Sequence, residues 1–176
     1  ESNLQPKAIK AIAISAGPGS YTGLRIGTAT AKGLCYGWDI PLIAVPTLRI
    51  LAERASDYLI DIQYIIPMID ARRMEVFTAI YRSDFSTEVA AHPEILTETS
   101  FASYLDQGKT LFLGDGSSKF ATICSHPNAV FVTDQYPSAQ QMGKLAMSLY
   151  EKRQFEDIAY FEPFYLKEFY IAKNEQ

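Results

Sequence analysis

The sequence is poor in the residues that build disulfide scaffolds and metal sites, because its 176 residues include only two cysteines and two histidines. Cys35 and Cys124 form no CxxC pair, so two reduced thiols in a cytoplasmic protein are the simplest interpretation. Neither His92 nor His126 is followed three or four residues later by His, Asp or Glu. The sequence therefore predicts no metal site and two histidines in surface loops.

Long apolar runs and an excess of positive charge are also absent. The formal net charge is -4 and the pI is about 5.2, which excludes an overall electrostatic attraction for nucleic acid or anionic membrane. No apolar run approaches the roughly 20 residues that span a bilayer, and no secretory signal is recognisable. These absences predict a cytoplasmic protein with no membrane contact. The chain opens on Glu1 without methionine, and we expect that part of a larger protein precedes it.

The composition is typical of a folded protein, with 48% hydrophobic and 12% aromatic residues. Apolar runs and turn residues predict strands at 11–15, 40–45, 64–70, 74–81, 88–95, 111–113 and 129–132. They predict helices at 22–38 and 47–57, short helices ending at 105 and 124, and an amphipathic helix at 138–153. This order indicates a mixed-sheet α/β fold. Pro67 suggests an edge strand or a bulge, and we expect the aromatic tail 160–170 to dock.

A glycine-rich loop between the first strand and the first helix is the strongest local signal. It comprises Gly17, Gly19, Ser20, Tyr21, Thr22 and Gly23. We expect Thr22 to cap the helix. Glycines permit a close backbone approach and a helix start attracts anions, so a nucleotide phosphate is one candidate ligand. The spacing matches neither a P-loop nor a dinucleotide fingerprint, and a tight turn without a ligand explains the loop equally well.

The helix that follows is unusually rich in small residues. One stripe with a four-residue repeat contains Gly23, Gly27 and Ala31, and a second contains Ala29, Gly33 and Gly37. Each interior glycine costs roughly 0.5–1 kcal/mol relative to alanine, so close contacts are expected to compensate. Two stripes suggest two close neighbours, one within the fold and one in another subunit. Alternatively, both stripes pack internally.

Three segments of the chain form a set of motifs in a fixed order. The first is SAGPGSYTGLRIG, continued by TATAKGLCYG and IPLIAVPTL. The second joins Asp70-Ala71-Arg72 to Glu75-Val76-Phe77, and the third is the EPFYLK run at 162–167. Together they resemble the bacterial TsaB (YeaZ) family, glycoprotease-like (M22) proteins of tRNA threonylcarbamoyladenosine biosynthesis. Members of that family carry N-terminal strands and a first helix that this sequence lacks.

The resemblance implies a two-lobed α/β fold of the actin, Hsp70 and sugar-kinase (ribonuclease H-like) class, with an incomplete first lobe. The expected division is 1–59 for the rest of the first lobe, 60–137 for the second lobe, and 138–176 for a C-terminal helix and tail. In that fold two glycine loops face one another across a ligand cleft. The second loop here would be Gly114, Asp115 and Gly116. The polar pair Asp70 and Arg72 would either orient a ligand or close a hairpin.

The resemblance also implies partners. The chain would be a non-catalytic scaffold or activating subunit that pairs with a TsaD-type transferase through helices, and the complex would recruit a TsaE-type ATPase. We expect no cofactor on the chain itself, with ATP or ADP an option only at the level of the complex. Contact with tRNA is expected only through the complex, and a homodimer is expected for the chain alone. The predicted partner interface consists of Gly23, Gly27, Thr30, Ala31 and Leu34.

The residues themselves give little support for catalysis by this chain. There is no GxSxG elbow, and no histidine near Ser20 in the sequence could act as its base. Cys35 is interpreted as a small core residue. Two alternatives to the scaffold remain open, a nucleotide-binding kinase-like enzyme and a peptidase that acts on the TsaD-type partner.

Overall fold

A computed structural model describes residues 5–58 and 60–167, and its strands form two sheets. The first sheet pairs β1 (Ile12–Ser15) with β2 (Leu42–Val45) in parallel. The second contains β3 (Ile62–Asp70), β4 (Glu75–Arg82), β5 (Thr87–Ile95), β6 (Lys109–Gly114) and β7 (Ala129–Thr133). Its order is β5-β4-β3-β6-β7, antiparallel through β3, β4 and β5 and parallel through β3, β6 and β7. The predicted mixed-sheet α/β fold is confirmed.

Five α-helices connect or cover these strands in the described part of the chain. They are α1 (Tyr21–Trp38), α2 (Thr47–Ala52), α3 (Ala102–Leu105), α4 (Ser117–Ala121) and α5 (Ala139–Glu151). Short 3-10 helices lie at Pro6–Ala8 and Glu53–Asp57, so the predicted helix 47–57 is split in two. Of the helices described, none combines the length and the apolar character that a bilayer span requires.

The start of α1 differs from the prediction that Thr22 is the cap. The helix begins at Tyr21, and Ser20 is the N-cap residue, with its Oγ accepting a hydrogen bond from the Gly23 N–H at 3.4 Å. Thr22 therefore lies inside the first turn. From that position its side chain cannot accept a hydrogen bond from the unpaired backbone N–H groups at the start of the helix. The other end is closed by Asp39, whose left-handed backbone lets its N–H bond to the Cys35 carbonyl.

The position of Pro67 corrects a second expectation. Strand β3 lies at the centre of the five-stranded sheet, so the edge-strand alternative is wrong. Pro67 is paired with Leu113 of β6, and its carbonyl oxygen accepts a hydrogen bond from the buried Thr78 Oγ1 at 2.9 Å. A hydroxyl from the neighbouring strand thus adds a bond beside the proline, which has no N–H to donate. The register irregularity between β3 and β6 falls earlier, between Ile62 and Tyr64.

The first sheet is covered on both faces by helices. On one face, Ile14 and Leu42 pack against Ala31 and Cys35 of α1. On the other face, the predicted apolar stripe of α5 contacts β1 and β2 through Met142, Leu145, Ala146 and Leu149. Helix α2 joins the two sheets, because Ile50 belongs to the core under α5 whereas Leu48, Leu51 and Ala52 belong to the core of the second sheet.

The described part of the aromatic tail docks on the first sheet and on α1. Phe161 packs against the core formed by Ile14 and Cys35, and the Phe164 N–H donates to the Ala16 carbonyl at 2.7 Å. Tyr160 is 84% exposed and does not take part. The expectation of docking for residues beyond Lys167 lies outside the described residues.

Candidate functional site

The first glycine loop is closed by the chain's own tail. Gly17 has a φ of +106°, and a Cβ at this position would lie 2.3 Å from the Phe164 carbonyl oxygen. Both facts require glycine, because side chains rarely adopt this φ and no Cβ tolerates such a distance. The close approach that the loop permits is therefore made by the tail and needs no external ligand to explain it.

We expect Gly17→Ala to lower the free energy of unfolding by about 2–3 kcal/mol, because it combines backbone strain with the collision at Phe164. The same variant should release the tail and expose residues 161–167 to limited proteolysis. Urea denaturation and protease mapping measure the two effects. Gly19→Ala is the matched control, since its nearest atoms are on Leu24 at 4.0 Å. Equal stability of the two variants would contradict this explanation of the loop.

The remaining residues of this loop form the start of α1. Ser20 is occupied as the cap, and Thr22 and Gly23 are exposed in the first turn. The ring of Tyr21 lies 5.1 Å from the ring of Tyr165, so the tail also lies beside the helix start. A phosphate or nucleotide at this loop remains a prediction.

The second glycine loop is likewise filled by neighbouring backbone. Gly114 has a φ of +116°, and a Cβ there would lie 2.2 Å from the Met68 carbonyl oxygen. At Gly116 a Cβ would lie 2.8 Å from a Val76 methyl group and 3.1 Å from the Asp70 nitrogen. The Asp115 Oδ1 accepts a hydrogen bond from that same Asp70 N–H at 3.1 Å. These residues lock the end of β6 against the β3–β4 hairpin.

The two loops both lie against α2. Gly17 donates its N–H to Thr47 Oγ1 at 3.0 Å and accepts the Thr47 N–H at 2.9 Å. The position of a Gly114 Cβ would be 2.9 Å from Leu51 Cδ2. Thr47 and Leu51 are about one helical turn apart, so a single turn of α2 lies between the two loops. The tail also reaches the second sheet, since Lys167 forms an ion pair with Glu75 at the start of β4.

The polar pair Asp70 and Arg72 lies at the β3–β4 turn. Asp70 Oδ1 accepts the Arg72 N–H at 2.6 Å and pairs with Lys119 Nζ at 2.6 Å. Burial acts to raise the pKa of Asp70, but the bonds from Lys119 and Arg72 outweigh it and hold the pKa below its ordinary value. Arg72 and Arg73 both have positive φ, as a tight hairpin turn requires. The geometry favours the hairpin-closing interpretation of the pair.

Within the part of the chain that the structure describes, Cys35 and the two histidines lie in three different elements of the fold. Cys35 is fully buried, and that burial raises the pKa of its thiol despite a partly compensating hydrogen bond with the Ile12 backbone. His92 lies 3.9 Å from a Glu94 oxygen, and it belongs to β5, so the expectation of a loop position is wrong for it. His126 lies in a loop, 3.5 Å from Asp106. Within residues 5–58 and 60–167, no group of three His, Cys, Asp or Glu side chains is placed to hold a metal ion.

One face of α1 packs against its own sheet. Ala31 is 5% exposed in the core, and a Cβ at Gly27 would lie 3.7 Å from Ile14 Cδ1. Two members of the predicted partner interface therefore face inward. Gly23 and Thr30 are exposed, and Leu34 is half-buried, so the predicted set is divided between two faces of the helix.

The opposite face of α1 is uncovered. Ala29, Gly33 and Gly37 are exposed, and apart from the helix's own backbone and the adjoining residues, no described atom lies within 4 Å of a Cβ built at either glycine. Ile26 and Tyr36 flank this stripe with exposures of 63% and 86%. Glycines in a helix are costly unless a neighbour needs the space. The stripe that bears Gly33, and not the one that bears Gly27, is thus the surface on which a second chain can lie closely.

Sequence reasoning missed Ile26 and Tyr36 as surface residues. A signal for them exists, because Ile26, Ala29, Gly33 and Tyr36 are spaced by three, four and three residues, which places them on one side of a helix. We call the exposed residues Ile26, Ala29, Thr30, Gly33, Tyr36 and Gly37 the outer face of α1.

Comparison with known proteins gives consistent results. The family model described as TsaD, tRNA N6-adenosine threonylcarbamoyltransferase, matches residues 1–173. The Escherichia coli tRNA threonylcarbamoyladenosine biosynthesis protein TsaB is 30% identical over 170 residues, covering 90% of this chain and 71% of the relative. The Bacillus subtilis protein of the same name is 43% identical over 82 residues, or 46% of this chain. That alignment spans only about a third of the Bacillus subtilis protein, 34%.

The fold has a close match among solved structures. A Pseudomonas aeruginosa crystal structure, described as a protein with similarity to peptidase YEAZ, superposes with a TM-score of 0.76 at 26% identity. The match covers 93% of this chain and 76% of that protein. The ribonuclease H-like α/β class expected from the resemblance is confirmed.

Proposed function

Because this chain belongs to the TsaB family of tRNA threonylcarbamoyladenosine biosynthesis proteins, we propose that it is the non-catalytic, activating subunit that pairs with a TsaD-type transferase. The observation that carries the proposal is the outer face of α1. A surface of small residues flanked by an isoleucine and a tyrosine is suited to close helix packing. The transferase then performs the chemistry, and this chain holds it in its active arrangement.

The chemistry of the chain favours a non-catalytic role over an enzymatic one. The Cys35 thiol is buried with a raised pKa, and the Ser20 hydroxyl serves as a helix cap. A kinase-like enzyme is less well supported, because the Phe164 and Met68 carbonyls occupy the space that the glycines Gly17 and Gly114 leave open. A peptidase is less well supported because each histidine is engaged within the second sheet or beside it.

The other partners follow from the same family membership. We propose that a TsaE-type ATPase joins the pair, that ATP or ADP binds only to that assembly, and that tRNA is contacted through it in the cytoplasm. The net charge of -4 is consistent with a subunit that does not hold tRNA alone. In the absence of its partner, the outer face of α1 favours a homodimer, since exposed Ile26 and Tyr36 would pair with a second copy.

The test is association with the organism's own TsaD-type transferase, measured by co-purification and by titration calorimetry. We expect a stable complex with the full-length protein, and we expect Gly33→Leu to weaken it by at least about 100-fold. The free chain should stay folded, because nothing lies within 4 Å of the Gly33 Cβ position and leucine favours helix.

Gly143→Leu is the matched control, since Gly143 also lies in a helix with nothing within 4 Å. Gly27→Leu is unsuitable as a test, because its side chain would be forced toward Ile14. A complex that tolerates Gly33→Leu as well as Gly143→Leu would place the interface elsewhere on the chain.

A further inference from the structure

A groove of about 340 Å³ lies between α1 and the tail. Its lining residues are Tyr21, Arg25, Thr28, Ala29, Lys32, Phe161, Glu162, Pro163 and Tyr165. Helix α1 supplies polar side chains that are spaced by four, three and four residues from Tyr21 to Lys32. The tail supplies the apolar surface of two aromatic rings and a proline. Such a lining suits a group with a short apolar stem and a polar end.

The charges that line the groove are unbalanced. Among residues 5–58 and 60–167, no carboxylate lies within ion-pair distance of Arg25 or Lys32. Arg25 donates to the Tyr21 hydroxyl at 2.8 Å, and Lys32 donates to the Ala159 carbonyl at 3.3 Å. A guanidinium has five donor hydrogens and an ammonium has three, so both retain donors for a further acceptor. Glu162 offsets one of the two positive charges, which leaves the groove positive.

Thr28 supplies an independent observation. Its residue exposure is 7%, it lines the groove between Arg25 and Lys32, and its Oγ1 is shielded from solvent without a hydrogen-bond partner in the described chain. A buried hydroxyl left unpaired costs about 1–3 kcal/mol. Threonine in a helix uses two χ1 rotamers, so a change of rotamer can bring the hydroxyl to the groove side. The residue that bears the unpaired hydroxyl thus lies on the same side of the helix as both cations, three residues after Arg25 and four before Lys32.

The groove continues into the outer face of α1. Ala29 belongs to both, since it lines the groove and is also the first small residue of the exposed stripe. A helix lying along Gly33 and Gly37 passes the groove about one turn away. We expect a side chain from that helix to reach Arg25 and Lys32, which line the groove beside Ala29.

We propose that this groove is a docking site for an acidic side chain, an Asp or Glu carboxylate on the partner helix that packs against the outer face of α1. The carboxylate forms ion pairs with Arg25 and Lys32 and accepts a hydrogen bond from the Thr28 hydroxyl. The groove therefore determines which partner binds and how its helix is aligned along α1. This inference rests on the proposed function, because the helix that carries the carboxylate belongs to the transferase partner.

Thr28→Val is the sharpest test, because valine keeps the shape of threonine and removes only the hydroxyl. In the free chain we expect no loss of thermal stability, and a gain is consistent, since an unpaired buried group is removed. In the complex with the full-length protein we expect the affinity to fall by about tenfold. A role limited to packing predicts no change in affinity.

Charge reversal tests the two cations. The Arg25→Glu, Lys32→Glu double variant should weaken the complex by at least about 30-fold, and its affinity should lose most of the salt dependence of the wild type. Lys152→Glu is the matched control, an exposed lysine at the end of α5 that should change the affinity by less than about twofold.

The outcomes separate the groove from the proposed function. If wild-type protein forms no complex with the transferase, the proposed function fails, and this inference fails with it. If the complex forms and both groove variants, Thr28→Val and the double variant, bind as wild type does, only the inference is overturned. Inorganic phosphate tests a small anion as the alternative occupant: a saturable rise in thermal stability that the double variant lacks would overturn the assignment to a partner side chain.

Discussion

Gly114→Ala is expected to lower the free energy of unfolding by about 4 kcal/mol, a large part of the total for a domain of this size. Gly114 combines a φ of +116° with a Cβ position 2.2 Å from the Met68 carbonyl oxygen. The neighbouring atoms have little room to move, because Met68 lies in the central strand and both Met68 and Leu51 are fully buried. The Leu51 Cδ2 atom would lie 2.9 Å from the new Cβ. Strain and overpacking therefore add at one residue.

Urea denaturation followed by circular dichroism measures this effect. Gly143→Ala is the control, because the same substitution in the open helix α5 should raise the free energy of unfolding by roughly 0.5–1 kcal/mol. If Gly114→Ala left the midpoint of unfolding unchanged or raised it as the control does, the close packing of the β6 end against β3 would be disproved.

Arg49→Ala is expected to lower the free energy of unfolding by about 3 kcal/mol. The Arg49 guanidinium carbon lies 4.6 Å from the centre of the Phe85 ring and 5.8 Å from that of Tyr81. Its Nη1 forms an ion pair with Glu53, although it is not aligned for a hydrogen bond. Alanine would remove both ring contacts and leave the Glu53 carboxylate, 14% exposed, without its counterion.

A second substitution separates these contributions. Arg49→Lys keeps the charge but loses the planar stacking, so we expect about half the destabilisation. In the Glu53→Gln background, Arg49→Ala should cost less than in the wild type, and the difference is the coupling energy of the pair. Identical costs in both backgrounds would show that the ion pair contributes nothing and that only the aromatic contacts act.

The sequence predicts the strands well, because most are apolar runs bounded by turn residues. It fails where a residue's neighbour comes from elsewhere in the chain. Pro67 has the local character of an edge residue, yet β4 and β6 flank its strand on both sides, and Thr78 from β4 bonds its carbonyl. No local pattern encodes that hydroxyl. The cap at Ser20 differs by only two residues from the predicted Thr22, a difference that the loop geometry decides.

The glycine loops show a similar limit. Their glycines indicate that something approaches closely, and the sequence favours a phosphate and an empty turn about equally. In the structure the approaching groups are the Phe164 and Met68 carbonyls. The first belongs to the far end of the chain and the second to another strand, so only the tertiary fold identifies them.

The two faces of α1 explain why the predicted interface was divided. Both small-residue stripes are visible in the sequence. The rotation of the helix about its axis, however, is set by Ile14 and Leu42, which pack against Ala31 and Cys35. That choice turns Gly27 inward and leaves Gly33 outside. The sequence thus predicts that one small-residue stripe is exposed, whereas the side chains of the sheet decide which of the two stripes it is.

The bond between Phe164 and Ala16 has a consequence for biosynthesis. The Gly17 loop is synthesised well before residues 161–167, so it leaves the ribosome without the tail segment that closes it. The final arrangement of the loop therefore waits until the tail segment has been synthesised. The surface at this end of α1 is thus completed by a segment that lies far away in the sequence.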